Sequence, residues 1–281
     1  MLRPLRPDDL AELLALLRWM DQDSARRVLA PDARSVEELR WAAEEGHVLE
    51  INGELVGYAA LYPFRQGGAL EGPLVRGAAA APFFEMASET AARQGWHTLY
   101  AFPHEKNAIL REQLKTAGYA PLHTSYYFET GKKELSYPAP AGVGIKEVSD
   151  LDPEVYCNVY RASEDAWSLR LGWSALKLIE HFNRPDVHLW YACEGGEPVG
   201  LVELETSADE AEVAYLGVIP SRHGRGIGRA LLAQAAEYAF NTGVSLLKVR
   251  AHDHEKAAIA LYERLGFKLA DAVVTYAKEL N

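Results

Sequence analysis

Val218-Ile-Pro220-Ser-Arg222-His223-Gly224-Arg225-Gly226-Ile227-Gly228-Arg229-Ala-Leu-Leu232 is the stretch that decides the fold. A β-branched run ends at Pro220, glycines follow at alternate positions, and an Ala/Leu-rich run begins. The segment therefore reads as strand, tight loop, helix. Glycines let a backbone come close to a ligand, and the N–H groups of a helix's first turn, with its dipole, point at an anion. Arg222, Arg225 and Arg229 add three positive charges within eight residues. The loop is built for phosphate oxygens.

Two other phosphate loops fail here. A P-loop needs G-x-x-x-x-G-K-[ST], and no Lys-Ser or Lys-Thr follows these glycines. The dinucleotide fingerprint G-x-G-x-x-G breaks at its third glycine, where Arg229 stands.

Working outward, Glu212 to Val218 reads as the strand entering the loop, and the helix runs from Gly226 to about Asn241, stopped by Gly243. Leu189 to Cys193 and Val199 to Glu205 read as strands flanking a Gly-Gly turn. Ser245 to Arg250 is a further strand. A second helix spans Glu255 to Leu265, with Asp253 as its expected N-cap and Gly266 as its C′ residue. Ala272 to Lys278 is strand-like. The first half follows the same order, with helices at Pro7–Arg18 and Phe83–Arg93. The class is mixed α/β.

The chain repeats itself. His-Glu-Lys-x-Ala-Ile occurs at His104–Ile109 and His254–Ile259, each followed by a Gly-aromatic pair, Gly118-Tyr119 and Gly266-Phe267. Upstream, Ile51–Gly57 resembles Glu194–Gly200, and Leu70–Val75 aligns with Val213–Val218. The offset grows from 143 to 150, so the second copy carries 7 more residues between Val218 and His254. An ordered series of matches indicates duplication. The Pro/Gly-rich run Gly131–Gly144 is the expected linker, which predicts domains at 1–138 and 139–281.

Composition bounds the function. The 281 residues are 48% hydrophobic and 25% charged, an ordinary globular mixture long enough for two cores. A formal net charge of −11 argues against general binding to nucleic acid or to a membrane surface. Cys157 and Cys193 form no CxxC, so neither a zinc site nor a disulfide framework is suggested. No apolar signal core opens the chain and no run is long enough to span a bilayer, which predicts a cytoplasmic protein.

The phosphate loop resembles the acetyl-coenzyme A loop of the GNAT superfamily of N-acetyltransferases, [QR]-x-x-G-x-[GA], read here as His223-Gly224-Arg225-Gly226-Ile227-Gly228. Leu261-Tyr262-Glu-Arg-Leu-Gly266-Phe267 is similar to the family's later L-Y-x-x-x-G-F helix. Motifs and preceding strand cover most of residues 143–281. His223 in place of Gln or Arg is the one departure, and it leaves the backbone amides intact. The resemblance implies a mixed sheet whose strands Glu212–Val218 and Ser245–Arg250 splay apart around the pantetheine. Amides around Arg225–Arg229 would cradle the pyrophosphate, and edge groups near Leu216, Gly217 and Val218 would pair with the pantetheine arm. An acceptor amine would then attack the thioester directly.

That reaction needs two proton events. An alkyl ammonium of pKa about 10.4 must lose a proton, which costs roughly 4–5 kcal/mol at neutral pH. Glu212, six residues before Val218, stands where some family members place a general-base glutamate; Glu203 and Glu205 are the reserve candidates. The leaving thiolate gains from a donor, and Tyr262 matches the family's tyrosine near the coenzyme sulfur. Arg161, Trp167, Arg170, Trp173 and Arg184 lie in the region that commonly forms the family's acceptor pocket, where they would suit a planar or carboxylate-bearing acceptor. His252 and His254 flank Asp253, but no third ligand follows by spacing, so no metal is expected. Cys193, beside Trp190 and Tyr191, is expected to be a structural thiol.

In the first half the loop's counterpart is Val75-Arg-Gly77-Ala-Ala-Ala-Ala81-Pro82-Phe83-Phe84, with one glycine left and an amide removed by Pro82. Glu112 falls where Tyr262 stands in the second copy. This half is expected to be a degenerate GNAT-like domain that does not bind coenzyme. Tandem arrangements with one active half resemble those of the mycothiol synthases. The expected function is acetyl transfer from acetyl-CoA to the primary amine of a small molecule, in a monomer or homodimer. The alternatives are a non-catalytic CoA or acyl-CoA sensor and a protein or peptide N-acetyltransferase.

Overall fold

A computed structural model describes residues 1–43, 45–131, 135–163 and 169–280. In chain order the elements are β1 (Leu2–Pro4), α1 (Leu10–Asp21), α2 (Val36–Ala42), β2 (His47–Ile51), β3 (Glu54–Phe64), β4 (Gly67–Val75), α3 (Ala81–Gln94), β5 (Thr98–Ala101), α4 (Ala108–Thr116) and β6 (Ala120–Gly131). The second half adds β7 (Val143–Glu147), α5 (Pro153–Ala162), α6 (Ala175–Phe182), β8 (Val187–Glu194), β9 (Glu197–Thr206) and β10 (Glu210–Val218). It closes with α7 (Ile227–Asn241), β11 (Leu246–His252), α8 (Lys256–Arg264) and β12 (Lys268–Glu279).

The chain forms two compact units, and they do not follow the division near Pro138. Unit 1 comprises Met1–Tyr126, His252–His254 and Asp271–Asn281; unit 2 comprises Tyr127–Ala251 and Glu255–Ala270. The Pro/Gly run marks a break in local structure, whereas unit membership is decided by strand pairing between distant residues. The end of β12 accordingly lies in unit 1, where it runs antiparallel to β5 with Tyr276 opposite Ala101 and Glu279 opposite Thr98.

Unit 1 has strands in the order β1-β2-β3-β4-β5-β12, a mixed arrangement with β4 and β5 parallel and the β1–β2, β2–β3, β3–β4 and β5–β12 pairs antiparallel. Helix α1 buries Leu10, Leu13, Leu14, Leu17 and Met20 along one stripe, in a core with Leu39, Leu70, Leu74, Phe83 and Leu99. Each large apolar side chain fully withdrawn from water contributes about 1.5–3 kcal/mol. Among the described residues of the molecule, no helix is long and apolar enough to cross a membrane.

Unit 2 has the order β11-β10-β9-β8-β7, with β10 and β11 parallel and the other pairs antiparallel. Period-two alternation sorts the side chains of β8 and β9. Leu189, Tyr191 and Leu201 pack with Tyr156, Val159 and Leu178 of α5 and α6. From the other face His188 and Trp190 meet Tyr238 of α7. Helix α7 is apolar nearly all round, burying Ile227, Ala230, Leu231, Leu232, Ala235 and Ala236 among others, which suits an element pressed against a sheet. The expected cap of α8 is a correction: its N-cap is Glu255 without a side-chain bond. Asp253 instead accepts from the Thr124 amide at 3.1 Å within unit 1.

Candidate functional site

Strands β10 and β11 pair over only four positions, from Glu210 opposite Leu246 to Val213 opposite Val249. A bulge follows between Val213 and Tyr215, after which β10 pairs with β9 alone, as far as Val218 opposite Gly200. Bulges bend a strand and increase its local twist. Beyond Val213 no pairing of β10 with β11 occurs among the described residues, and Leu216, Gly217 and Val218 line that opening.

The chain then turns into α7. Gly224 and Gly226 hold φ of +74° and +85°, in the left-handed region that side chains resist, and Gly226 is the N-cap. The amides of Arg225, Gly226, Ile227, Gly228 and Arg229 have no acceptor among the described residues. Ile227 buries its side chain, so only its backbone is offered. Unused first-turn amides together with a helix dipole are suited to an anion.

The side chains around the loop are more engaged than the sequence suggests. Glu194, at the end of β8, bonds Arg222 Nε at 2.5 Å and Arg225 Nη2 at 2.7 Å. The two arginines hold its carboxyl below the usual range, with the Arg225 bond the larger cause. Arg229 lies 4.6 Å above the Tyr137 ring. His223 donates Nε2–H to the Val218 carbonyl at 2.6 Å, tying the loop to the strand end. Glu194 was missed because it stands 28 residues from Arg222, with no local pattern linking them.

Tyr262 of α8 is buried, its ring between Phe128 and Phe267 at centroid distances of 5.9 Å. Its hydroxyl donates to the Arg250 carbonyl at 3.5 Å. Arg250 is the residue after Val249, where the β10–β11 pairing ends. Burial pushes its pKa up, keeping the proton on oxygen.

Glu212 lies opposite Lys248 on one side and Glu205 on the other. Its side chain reaches solvent, but the surrounding strands desolvate the carboxyl and raise its pKa. Arg250 opposes that rise and Glu205 adds to it. Glu203 has no solvent exposure and is held by Arg170 Nε at 3.0 Å, His181 Nε2 at 2.9 Å and Tyr156 Oη at 3.4 Å. Arg170 also reaches Glu205 at 3.4 Å. Glu203 is closed to a substrate, which leaves Glu212 and the half-exposed Glu205 as the accessible carboxylates.

His181, Glu203 and Glu205 have potential ligand atoms within 4.8 Å of one another. Arg170 bridges both carboxylates and already supplies the positive charge a metal would bring. His252 and His254 do gain a third histidine, with the His123 ring centroid at 4.3 and 6.4 Å from theirs. Ser125 Oγ meets His252 Nδ1 and Thr275 Oγ1 meets His123 Nε2, so these rings are held by hydroxyls within unit 1. Both cysteines are half-buried free thiols, and burial raises Cys193.

In the α5–α6 region Arg170 stands 4.7 Å and Lys177 4.4 Å over the Trp173 ring. Arg184 bonds Asp186, and Arg161 bonds Asn158 at 3.3 Å. Trp167 lies outside the described residues. The arginines expected to hold a carboxylate-bearing acceptor are thus committed within the protein. Tyr215 stacks on Tyr160 at 4.1 Å, and a Cβ on Gly217 would meet Ser163 Oγ at 2.6 Å, so Gly217 lets α5 approach the strand.

Residues 154–267 match the Acetyltransferase (GNAT) family. An uncharacterized N-acetyltransferase of Methanocaldococcus jannaschii is 31% identical over 134 residues, 44% of this chain and 59% of its own length. A mycothiol acetyltransferase of Pseudarthrobacter chlorophenolicus is 26% identical over 198 residues, 66% of this chain and 61% of its own. The chain thus spans about three-fifths of the length of these curated relatives. A GCN5-related N-acetyltransferase from Sphaerobacter thermophilus has the same fold, with a TM-score of 0.79 at 19% identity over 99% of this chain and 95% of its own. A tandem GNAT protein from the clavulanic acid biosynthesis pathway gives 0.67 at 17% identity over 99% and 98%.

Proposed function

We propose that the GNAT domain of unit 2 transfers an acetyl group from acetyl-CoA to the primary amine of a small molecule. One observation carries the reading: a crown of amides at Arg225–Arg229 without acceptors among the described residues adjoins the Leu216–Val218 edge, which lies beyond the end of the β10–β11 pairing at Val213. The crown suits a pyrophosphate, and that edge suits an amide-bearing arm that adds like a strand. Glu194, by pairing with Arg222 and Arg225, offsets one of their two positive charges and holds both side chains at the strand end, so the backbone amides carry much of the anion binding.

In this reading the thioester lies in the opening between β10 and β11. Glu212 accepts a proton from the incoming ammonium, directly or through water, and its raised pKa makes it a better base than an ordinary surface carboxylate. The amine attacks the thioester carbonyl and the C–S bond breaks; the Tyr262 phenol gives its proton to the departing thiolate, and the excess proton on the newly acylated nitrogen restores the phenol, directly or through water. Similarity to a mycothiol acetyltransferase supports a small-molecule acceptor. Unit 1 is read as the degenerate copy, without a coenzyme site.

Calorimetric titration of acetyl-CoA into the wild type and Gly226→Glu tests the proposal, followed by an amine screen for CoA thiol release. Saturable one-site binding, lost in the variant, with amine-dependent release is the expected result. Binding without release by any small amine would leave the sensor reading or a peptide acceptor, which a peptide panel separates. No binding would remove the acetyltransferase reading.

A further inference from the structure

Unit 1 carries a groove of acidic character between two of its helices. A cavity of about 760 Å³ opens between α3 and α4, a volume suited to a small molecule. Its apolar floor includes Phe84 and Ala117, and its walls carry Glu85, Glu89 and Glu112, with Lys278 as the only cation in the lining.

The features that bind an anion in unit 2 are cancelled here. The Ala80 amide at the start of α3 donates to Gln113 Oε1 at 2.7 Å, Pro82 has no N–H, and the Phe83 amide turns back to the Ala80 carbonyl. Arg76, the one arginine of this loop, stacks 4.9 Å over Trp19. Glu85 and Glu89 stand at i and i+4 on one face of α3, an arrangement that is unfavourable for like charges. Neither has an ion-pair or hydrogen-bond partner among the described residues. Glu112 has one, Lys115 at 2.6 Å.

We propose that this groove binds an organic ammonium ion with an apolar body, the body on Phe84 and Ala117 and the cation between Glu85 and Glu89. Charge complementarity chooses this occupant: the walls repel a phosphate ligand and the unpaired Glu85–Glu89 ridge attracts a cation. The inference is independent of catalysis in unit 2.

The test titrates the full-length protein with phenethylammonium, with phenethyl alcohol and 3-phenylpropionate as neutral and anionic controls, reading the amide resonances of Ser88, Glu89, Thr116 and Ala117. Saturable shifts with the ammonium alone are expected, and Glu85→Gln/Glu89→Gln should weaken binding about fivefold to tenfold while leaving the rest of the spectrum unchanged. Both positions are exposed, so the variant retains the fold. Equal binding of the alcohol, preference for the carboxylate, unchanged affinity in the variant or absence of saturation would each overturn the proposal.

Discussion

Glu205 and Glu212 stand directly opposite each other across β9 and β10. Side chains so placed are about 4.5–5.5 Å apart at Cβ, where like charges disfavour joint ionisation. Arg170 and Arg184 reach Glu205, at 3.4 and 3.6 Å. Desolvation raises the Glu212 pKa, and the charge of Glu205 adds to that rise.

Glu212→Gln should lower kcat/KM by about 10²–10⁴ if this carboxylate is the general base. The stability effect has a definite sign. Because the folded state holds this proton to higher pH than the unfolded chain, stability falls as pH rises from the ordinary 4.5 through the raised value. The variant should therefore gain stability relative to wild type at neutral pH, and the gain should vanish well below pH 4.5. Thermal melts across pH, together with a kcat/KM profile, check both parts; wild-type turnover in the variant would place the base elsewhere.

Tyr262→Phe removes only the hydroxyl that meets the Arg250 carbonyl. Its ring packing persists, so stability should change by no more than about 1 kcal/mol. Turnover should slow while coenzyme affinity stays nearly constant. Normal turnover would exclude the phenol as the acid.

Gly226→Ala should weaken coenzyme binding even though a Cβ has room, its nearest neighbour being 3.7 Å away. The reason is φ of +85°, where an L-residue is disfavoured by about 1–2 kcal/mol. Gly228→Ala, where no such φ is required, should bind more tightly than Gly226→Ala in parallel calorimetry.

Breaking the buried network is a different kind of change. Glu203→Gln leaves Arg170 and His181 without their buried carboxylate and should destabilise unit 2 by about 3–5 kcal/mol. The Glu205→Gln change, at a half-exposed partner, should fall within about 1 kcal/mol. Denaturant titrations of the two variants compare them directly.

A chain ending at Ala270 would retain every unit 2 residue yet remove the β12 segment that pairs with β5. Unit 1 should lose protection in β5 and α4 by hydrogen exchange, while the β8–β10 amides stay protected. Unchanged β5 exchange would mean that the exchanged strand is dispensable.

The features legible in the sequence were local. The strand–loop–helix around Gly226 and the helix ending before Gly266 follow from neighbouring residues, because periodicity, glycine φ and capping act within a few positions, and the repeat is a match of residue order alone. The α8 cap shows the limit of such reading: Asp253 has the right chemistry for an N-cap, but the Thr124 amide, 129 positions away, claims its carboxylate.

By itself the sequence determined the α/β class, the duplication and the phosphate-type loop, since these reside in residue order and short-range stereochemistry. Only the tertiary structure decided which unit owns β12, that Glu194 engages two of the loop arginines, that Glu203 is sealed while Glu212 is open, and that Gln113 caps α3. Those outcomes depend on contacts between residues tens to hundreds of positions apart, whose energies exist only once the sheets have paired.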